Sequence, residues 1–339
     1  MKGIVCEEIE SFRMAKNLPE PVFTAGHAIV SIRRIGICGT DYHAFKGRQP
    51  FFQYPRILGH ELSGVIDQID GDAEGFAVGD IVSIVPYLHC GRCLACRSGK
   101  TNCCVNMQVL GVHQDGGMRE RISVPITHLI KASGLTLDEA ALLEPLAIGA
   151  HAVRRADIAA SDTVLVIGSG PIGLGVMALA KYAGARVIAM DIQEERLNWC
   201  KIWAKADQTI NALEPKVKRR LADLTDGQFP IAVFDATGNA ASMMQSFELT
   251  AHGGKLIFVC LVKGDIAFSD PEFHKRELTL MSSRNATMAD FRHVMDTLHN
   301  RFIDVERYIT HRSSFDDMIP SFDAWLDPGS NVIKAMVSL

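Results

Sequence analysis

The chain has 339 residues, 35 Lys and Arg against 39 Asp and Glu, and a formal net charge of −4, a balance that argues against a polyanion-binding surface, so nucleic acid is not an expected partner. Hydrophobic residues make up 47% of the chain, yet no apolar stretch approaches the ~18–20 residues of a membrane span. The acidic start MKGIVCEEIESF is unlike a secretory leader, so the expectation is a cytoplasmic protein of about two domains that binds no membrane.

In chain order, the first part offers short β-rich runs such as HAIVSIRRIGI (27–37) and SGVIDQI (63–69), broken by Gly, Pro and Asp, and reads as an irregular, mostly β domain. Metal-type residues gather here. GICGTDYH supplies Cys38, Thr40, Asp41 and His43; GHE supplies His60 and Glu61; LLEPLAIGAH supplies Glu144. A catalytic zinc takes about three protein ligands and leaves one position open, and Cys38, His60 and a carboxylate meet that need. Taken singly, each also fits an ordinary role: a small core thiol, a satisfied histidine, a carboxylate at a helix start.

Five of the nine cysteines crowd between 90 and 104, too close for a secreted disulfide framework and suited to a metal. In HCGRCLACRSGKTNCC, Cys90, Cys93, Cys96 and Cys104 stand as C-x2-C-x2-C-x7-C. Four thiolates on one loop close a tetrahedron with no position for substrate, which makes the site structural. Spacing leaves the choice between Cys103 and Cys104 open.

From about residue 147 the texture changes to TVLVIG, PIGLGVMALAKYAG, RVIAMD, EERLNWCKIWAKA, IAVFDATG, MMQSFELT and KLIFVCL, a β-α alternation that signals a doubly wound parallel sheet. In IGSGPIGLG, Gly168, Gly170 and Gly173 lie between a strand and a helix, the context in which this glycine spacing cradles a pyrophosphate. Asp191 ends the next strand, where a carboxylate meets the adenosine ribose hydroxyls. After SSRNAT come one helical pattern, ADFRHVMDTLHN, and the strand VIKAMVSL, too little for a domain and expected to pack on the first. The expected division is 1–146 with 285–339, and 147–284 between them.

All three constellations, in this order, resemble the zinc-dependent medium-chain alcohol and polyol dehydrogenase family. The resemblance implies an α/β protein, with a GroES-like β-rich catalytic domain and a Rossmann NAD-binding domain. It implies two zinc ions per chain: a structural one on the four-cysteine loop, and a catalytic one on Cys38 and His60. Where one branch of the family has a third cysteine ligand, this chain has Glu144, like the sorbitol, threonine and sugar-acid dehydrogenases; there Glu61 or Glu144 ligates zinc and the other carboxylate holds the metal's water, and the two stay unranked. Asp41 is expected to orient His60. Thr40 and His43 would carry the proton out, and Arg284 would approach the glutamate and substrate.

For the nucleotide, the candidates are Gly168, Gly170, Pro171, Ile172, Gly173, Asp191, Arg196 and Thr237. Asp191 would repel a 2′-phosphate, so NAD is expected over NADP, with Arg196 the one residue able to soften that repulsion. GRQPFFQYPRILGHE, GVHQDGG and FSDPEFHKRELTLMSSRNAT look most like the bacterial L-galactonate and L-gulonate 5-dehydrogenases and starvation-sensing relatives. That implies a small sugar-acid substrate oxidised at C5, with Arg48 and Arg284 as candidates for its carboxylate and Lys46, His113 and Lys275 behind them. Alternatives within the family are polyol and L-threonine dehydrogenases, and the family commonly forms homodimers or homotetramers. A non-catalytic regulatory protein would keep the nucleotide loop and lose the open zinc site, whereas this chain retains the residues of both.

Overall fold

Segments far apart in sequence build the first of two units, Met1–Glu144 together with Asp304–Leu339; Pro145–Ile303 forms the second. The computed structural model describes residues 1–49, 52–70, 73 and 75–339. Pro50 and Phe51 of the GRQPFF loop lie outside the described residues. No helix among the described residues is long and apolar enough to cross a membrane.

The run HAIVSIRRIGI becomes the strand His27–Ile37, the hub of the first unit. One edge pairs antiparallel with Glu61–Ile69. The other takes Arg121–Pro125 along its first half and Ala335–Ser338 along its second. Being buried by neighbours explains why it reads as a nearly continuous apolar run, and Ile32, Ile35, Leu62, Ile66 and Ile84 form a core at 1% exposure or less. Each such side chain contributes roughly 1.5–3 kcal/mol when removed from water. Gly36 faces Glu61 in register, and a Cβ there would run into the Glu61 carboxylate, so this position has room for nothing larger than glycine.

The second unit carries a six-stranded parallel sheet in the order Gln208–Asn211, Arg186–Asp191, Thr163–Ile167, Ala232–Asp235, Lys255–Phe258, Thr279–Ser282. Strand order reverses between Thr163–Ile167 and Ala232–Asp235, the switch point at which a doubly wound sheet binds its ligand beyond the carboxyl ends.

The second domain boundary differs from the sequence expectation. Residues 285–303 join the second unit, and only Asp304–Leu339 returns to the first. The helix Met288–His299 in this stretch is tied to the second unit through Asp290. Its buried carboxylate accepts from His151 Nδ1 at 2.9 Å and from Arg154 Nε at 2.7 Å, while Asn300 Nδ2 donates to the Tyr182 hydroxyl at 2.9 Å. The first boundary falls between Glu144 and Pro145, two residues before the expected one and inside the helix Leu143–Ala156.

Candidate active site and metal centres

The short strands Tyr87–Leu88 and Gln108–Val109 pair antiparallel and bracket the cysteine loop. Within it the sulfurs of Cys90, Cys93, Cys96 and Cys104 all lie within 4.8 Å of one another. Cys103 is exposed and stands outside the group, whose fourth member is buried Cys104. Four sulfurs each about 2.3 Å from a common zinc stand ~3.8 Å apart, so this set fits the ion. Cys104 Sγ accepts from the Cys90 N–H at 3.3 Å and the Asn106 N–H at 3.4 Å. Backbone N–H groups of Arg92 and Cys93 pull the Cys90 thiol down to about 6, while burial and then the Cys93 sulfur push Cys96 up to about 12. Four sulfurs gathered this closely are a donor set that a thiophilic cation satisfies.

Cys38 follows the strand His27–Ile37 and caps the helix Gly39–Phe45; His60 directly precedes the strand Glu61–Ile69. Asp41 clamps the two segments together. Its Oδ2 accepts from the Cys38 N–H at 2.9 Å, and its Oδ1 accepts from the Gly59 N–H at 3.4 Å and lies 3.9 Å from His60 Nδ1. That last separation is an electrostatic contact rather than a hydrogen bond. Cys38, His60 and Glu61 thereby bring one ligand atom each within 4.8 Å of the others.

The electrostatics of this pocket also call for a cation. Burial raises Asp41, and burial, then Glu61, pushes Glu144 up to about 7 against the opposing pull of His60 and Tyr87. Burial disfavours a charged His60, yet Cys38 and Asp41 outweigh it and lift the imidazole well above its ordinary value. His60 Nδ1 and Glu144 Oε2 are buried with no hydrogen-bond partner. A sulfur, an imidazole nitrogen and carboxylate oxygens are the donor set that zinc takes.

The two glutamates differ in a way the sequence did not reveal. Glu61 belongs to the tight ligand group, but both its oxygens accept from Lys334 Nζ, at 2.6 and 2.7 Å. The third ammonium N–H goes to the Ile37 carbonyl at 3.1 Å. Glu144 stands outside that group, accepts from the Tyr87 hydroxyl at Oε1, and keeps Oε2 unpartnered. Glu61 is the nearer donor and Glu144 the less engaged one.

In the second unit, Gly168 has φ +92°, and a Cβ at Gly173 would overlap the Gly168 carbonyl oxygen, so the turn closes only on glycine. Gly170 caps the helix Pro171–Tyr182, with Pro171 in its first turn, half-buried like Ile172. Buried Asp191 accepts from the Ser169 N–H at 2.6 Å and the Gln193 N–H at 3.0 Å, so it holds the glycine turn in place and each oxygen keeps a lone pair. Arg196 Nη1 stands 3.9 Å from where a Gly170 Cβ would be. Thr237 is engaged in its own turn: its hydroxyl donates to Asp235 at 2.6 Å and accepts from the Asn239 N–H at 3.0 Å.

Other sequence candidates are placed less centrally. Thr40 is half-buried in the first turn of its helix, and His43, in the last turn, is exposed. Arg48 is exposed and acts with Lys46 on Glu10, to which Lys46 donates at 2.6 Å. Lys46 is therefore already paired. His113 Nδ1 accepts from the Val109 N–H at 3.1 Å, and exposed Lys275 lies 3.7 Å from Glu272. Arg284 is exposed in the second unit, two residues after the strand Thr279–Ser282. Sequence reasoning missed Tyr87, Lys334 and Tyr308. Tyr308 is fully buried, and its phenol is pushed up by burial and by Glu61, Cys38 and Glu144. Only Lys334 carried a signal, a charge inside the apolar run VIKAMVSL.

Residues 24–134 match the alcohol dehydrogenase GroES-like domain, and residues 171–300 match the zinc-binding dehydrogenase model. The chain belongs to the zinc-dependent medium-chain alcohol dehydrogenases, oxidoreductases that act on CH–OH donors with a nicotinamide nucleotide. It is 40% identical to the L-galactonate-5-dehydrogenase of Escherichia coli K12, an alignment that covers 100% of this chain and 99% of that one. The solved structure of the alcohol dehydrogenase RspB from E. coli CFT073, complexed with NADH, matches with a TM-score of 0.92 at 30% identity, over 100% of this chain and 99% of that one. A zinc-binding dehydrogenase from Sinorhizobium meliloti, bound to NADP, matches with a TM-score of 0.91 at 27% identity, over 100% and 99%.

Proposed function

We propose that this chain oxidises a secondary alcohol of a sugar acid, of the L-galactonate or L-gulonate type at C5, to the ketone, with NAD as hydride acceptor. The observation that carries the chemistry is the group of half-buried Cys38 with buried His60 and Glu61, flanked by the unpartnered oxygen of Glu144. The full-length 40% identity to an L-galactonate-5-dehydrogenase supports the substrate. Cys38 and His60, with Glu61 or Glu144, would hold a catalytic zinc, and Cys90, Cys93, Cys96 and Cys104 a structural one. When bound, the catalytic ion supplies a Lewis acid that lowers the pKa of the substrate hydroxyl.

Around that ion the chain's own residues bind, orient and move a proton. Asp41 fixes the backbone on which Cys38 and His60 stand. Thr40, two residues after Cys38, would relay the hydroxyl proton, taking it up as its own hydroxyl proton leaves, and exposed His43 would pass the released proton to water. Gly168, Gly170, Pro171, Ile172 and Gly173 cradle the pyrophosphate, and Asp191 takes the ribose hydroxyls with the lone pairs left by Ser169 and Gln193. A 2′-phosphate would meet the Asp191 charge, which favours NAD over NADP. Arg48 and Arg284 are the cations offered to the substrate carboxylate. The exposed edge strand Thr279–Ser282 gives a second copy of the chain a place to pair, in keeping with a homodimer or a homotetramer.

The test compares kcat/KM for L-galactonate, the matching neutral alditol and L-threonine, with NAD. A carboxylate paired with an arginine that substrate binding shields from water is worth roughly 2–5 kcal/mol, so the alditol should be at least ~30-fold poorer. Equal efficiency for alditol and hexonate, or preference for L-threonine, would overturn the sugar-acid assignment.

A further inference from the structure

Tyr87 opens the two-residue strand Tyr87–Leu88, three positions before Cys90. It is 4% exposed, and its hydroxyl donates to Oε1 of Glu144, itself 2% exposed. Against the ionised carboxylate the phenol is the donor. Once Oε1 is tied, the carboxylate can no longer rotate freely, and the direction of its other oxygen is fixed with it. That other oxygen, Oε2, is buried and partnerless.

Tyr87 is itself rigidly mounted. It pairs with Val109 across the hairpin, the Leu110 N–H donates to the Pro86 carbonyl at 3.1 Å, and the Val85 N–H donates to the His128 carbonyl at 2.8 Å. The hairpin that sets Tyr87 is the one that closes the four-cysteine loop, so a single side chain links that loop to Glu144.

We infer that Tyr87 is a positioning residue for the catalytic metal site: it holds Oε1 of Glu144 so that Oε2 is presented to the metal, and the four-cysteine hairpin is its mount. The inference rests on the reading that Cys38, His60 and the glutamates hold the catalytic ion. Partners that orient a ligand or its water are worth about 10–100-fold in metal affinity or activity when removed.

Cobalt(II) exchanged into the whole enzyme tests this, because Cys38 sulfur and carboxylate ligation shape its absorption spectrum. Tyr87→Phe, Glu144→Gln and the double variant are compared with the parent by spectrum, by chelator competition for the catalytic cobalt, and by kcat and KM. The spectrum of the cysteine-loop cobalt reports that the hairpin is folded. Tyr87→Phe should weaken catalytic cobalt binding about 10–100-fold, alter its spectrum and lower kcat, with NAD affinity unchanged. In the double variant, Tyr87→Phe should add nothing to Glu144→Gln, whereas a merely structural tyrosine would give additive losses. Parental affinity and spectrum in Tyr87→Phe, alongside losses in Glu144→Gln, would overturn the inference alone. Parental cobalt binding in both Glu144→Gln and Cys38→Ser would overturn the metal-site reading beneath it.

Discussion

Replacing Lys334 by Met tests the buried charge pair behind the metal site. The Lys334 side chain is 2% exposed and that of Glu61 is 0% exposed, and all three ammonium N–H groups are used, two on Glu61 and one on the Ile37 carbonyl. Methionine fills most of the volume of the lysine stem, so the loss comes mainly from a carboxylate left buried without its partner. Removing one member of such a pair costs about 3–5 kcal/mol, whereas removing both charges is close to neutral. For a unit the size of the first, that corresponds to a melting shift of about 6–20 °C. Thermal scans of the parent, Lys334→Met and Lys334→Met/Glu61→Gln, after dialysis against a chelator, should show the single variant lowest and the double variant largely restored. With zinc returned, a cation beside the stranded Glu61 takes over part of the role of Lys334, and the gap should narrow. A loss below about 1 kcal/mol in the single variant, or a double variant no more stable than the single, would show that Lys334 does not hold a costly buried charge on Glu61.

Asp290 should make stability pH-dependent in one direction. Burial opposes its ionisation, but His151, Arg154 and Thr287 outweigh that and hold it well below the usual carboxylate range. Its contribution is therefore present above the unfolded value of about 3.9 and is lost as pH falls toward the depressed folded value. Asp290→Asn should cost about 3 kcal/mol at neutral pH, the low end for a buried pair because the Arg154 side chain is 55% exposed; melting curves for parent and variant should converge on acidification, and parallel curves would contradict this. If the four cysteines hold a structural zinc, Cys93→Ser should lower the zinc content and make the 90–104 loop sensitive to protease; unchanged zinc content by metal analysis would remove the structural assignment. Asp191→Ser should raise the NADP-to-NAD efficiency ratio at least tenfold, about 1.4 kcal/mol, and lower the melting temperature by freeing the Ser169 and Gln193 N–H groups; an unmoved ratio would show that Asp191 does not read the ribose.

Much of the fold was legible because burial leaves apolar runs in the sequence. Thr163–Ile167, Arg186–Asp191, Ala232–Asp235 and Lys255–Phe258 are inner strands, and all four stood out. The edge strands Gln208–Asn211 and Thr279–Ser282, mostly half-buried or exposed, carried no such run and were missed. The second domain boundary differs from the sequence expectation, and the helix Met288–His299 is tied through Asp290 to residues 139 and 136 positions away. No local pattern reports such pairs.

The same contrast governs the sites. The four-cysteine loop is local, so spacing revealed it, whereas the grouping of Cys104 rather than exposed Cys103 with the other three depends on how the loop folds. Cys38, His60, Glu61 and Glu144 are dispersed and gained meaning through their order along the chain. The partners that decide how the glutamates act, Lys334 and Tyr87, come from a closing strand and a short hairpin. Their roles exist only after the strand His27–Ile37 gathers its neighbours.

The most direct measurement is the appearance of reduced cofactor when L-galactonate and NAD meet the enzyme before zinc removal, after it, and after zinc is restored. NADH should form steadily with the native protein, not at all once metal is withdrawn, and again on return of zinc, with Cys38→Ala inactive throughout. NADH formation at the full rate in the metal-free protein, or in Cys38→Ala, would contradict this.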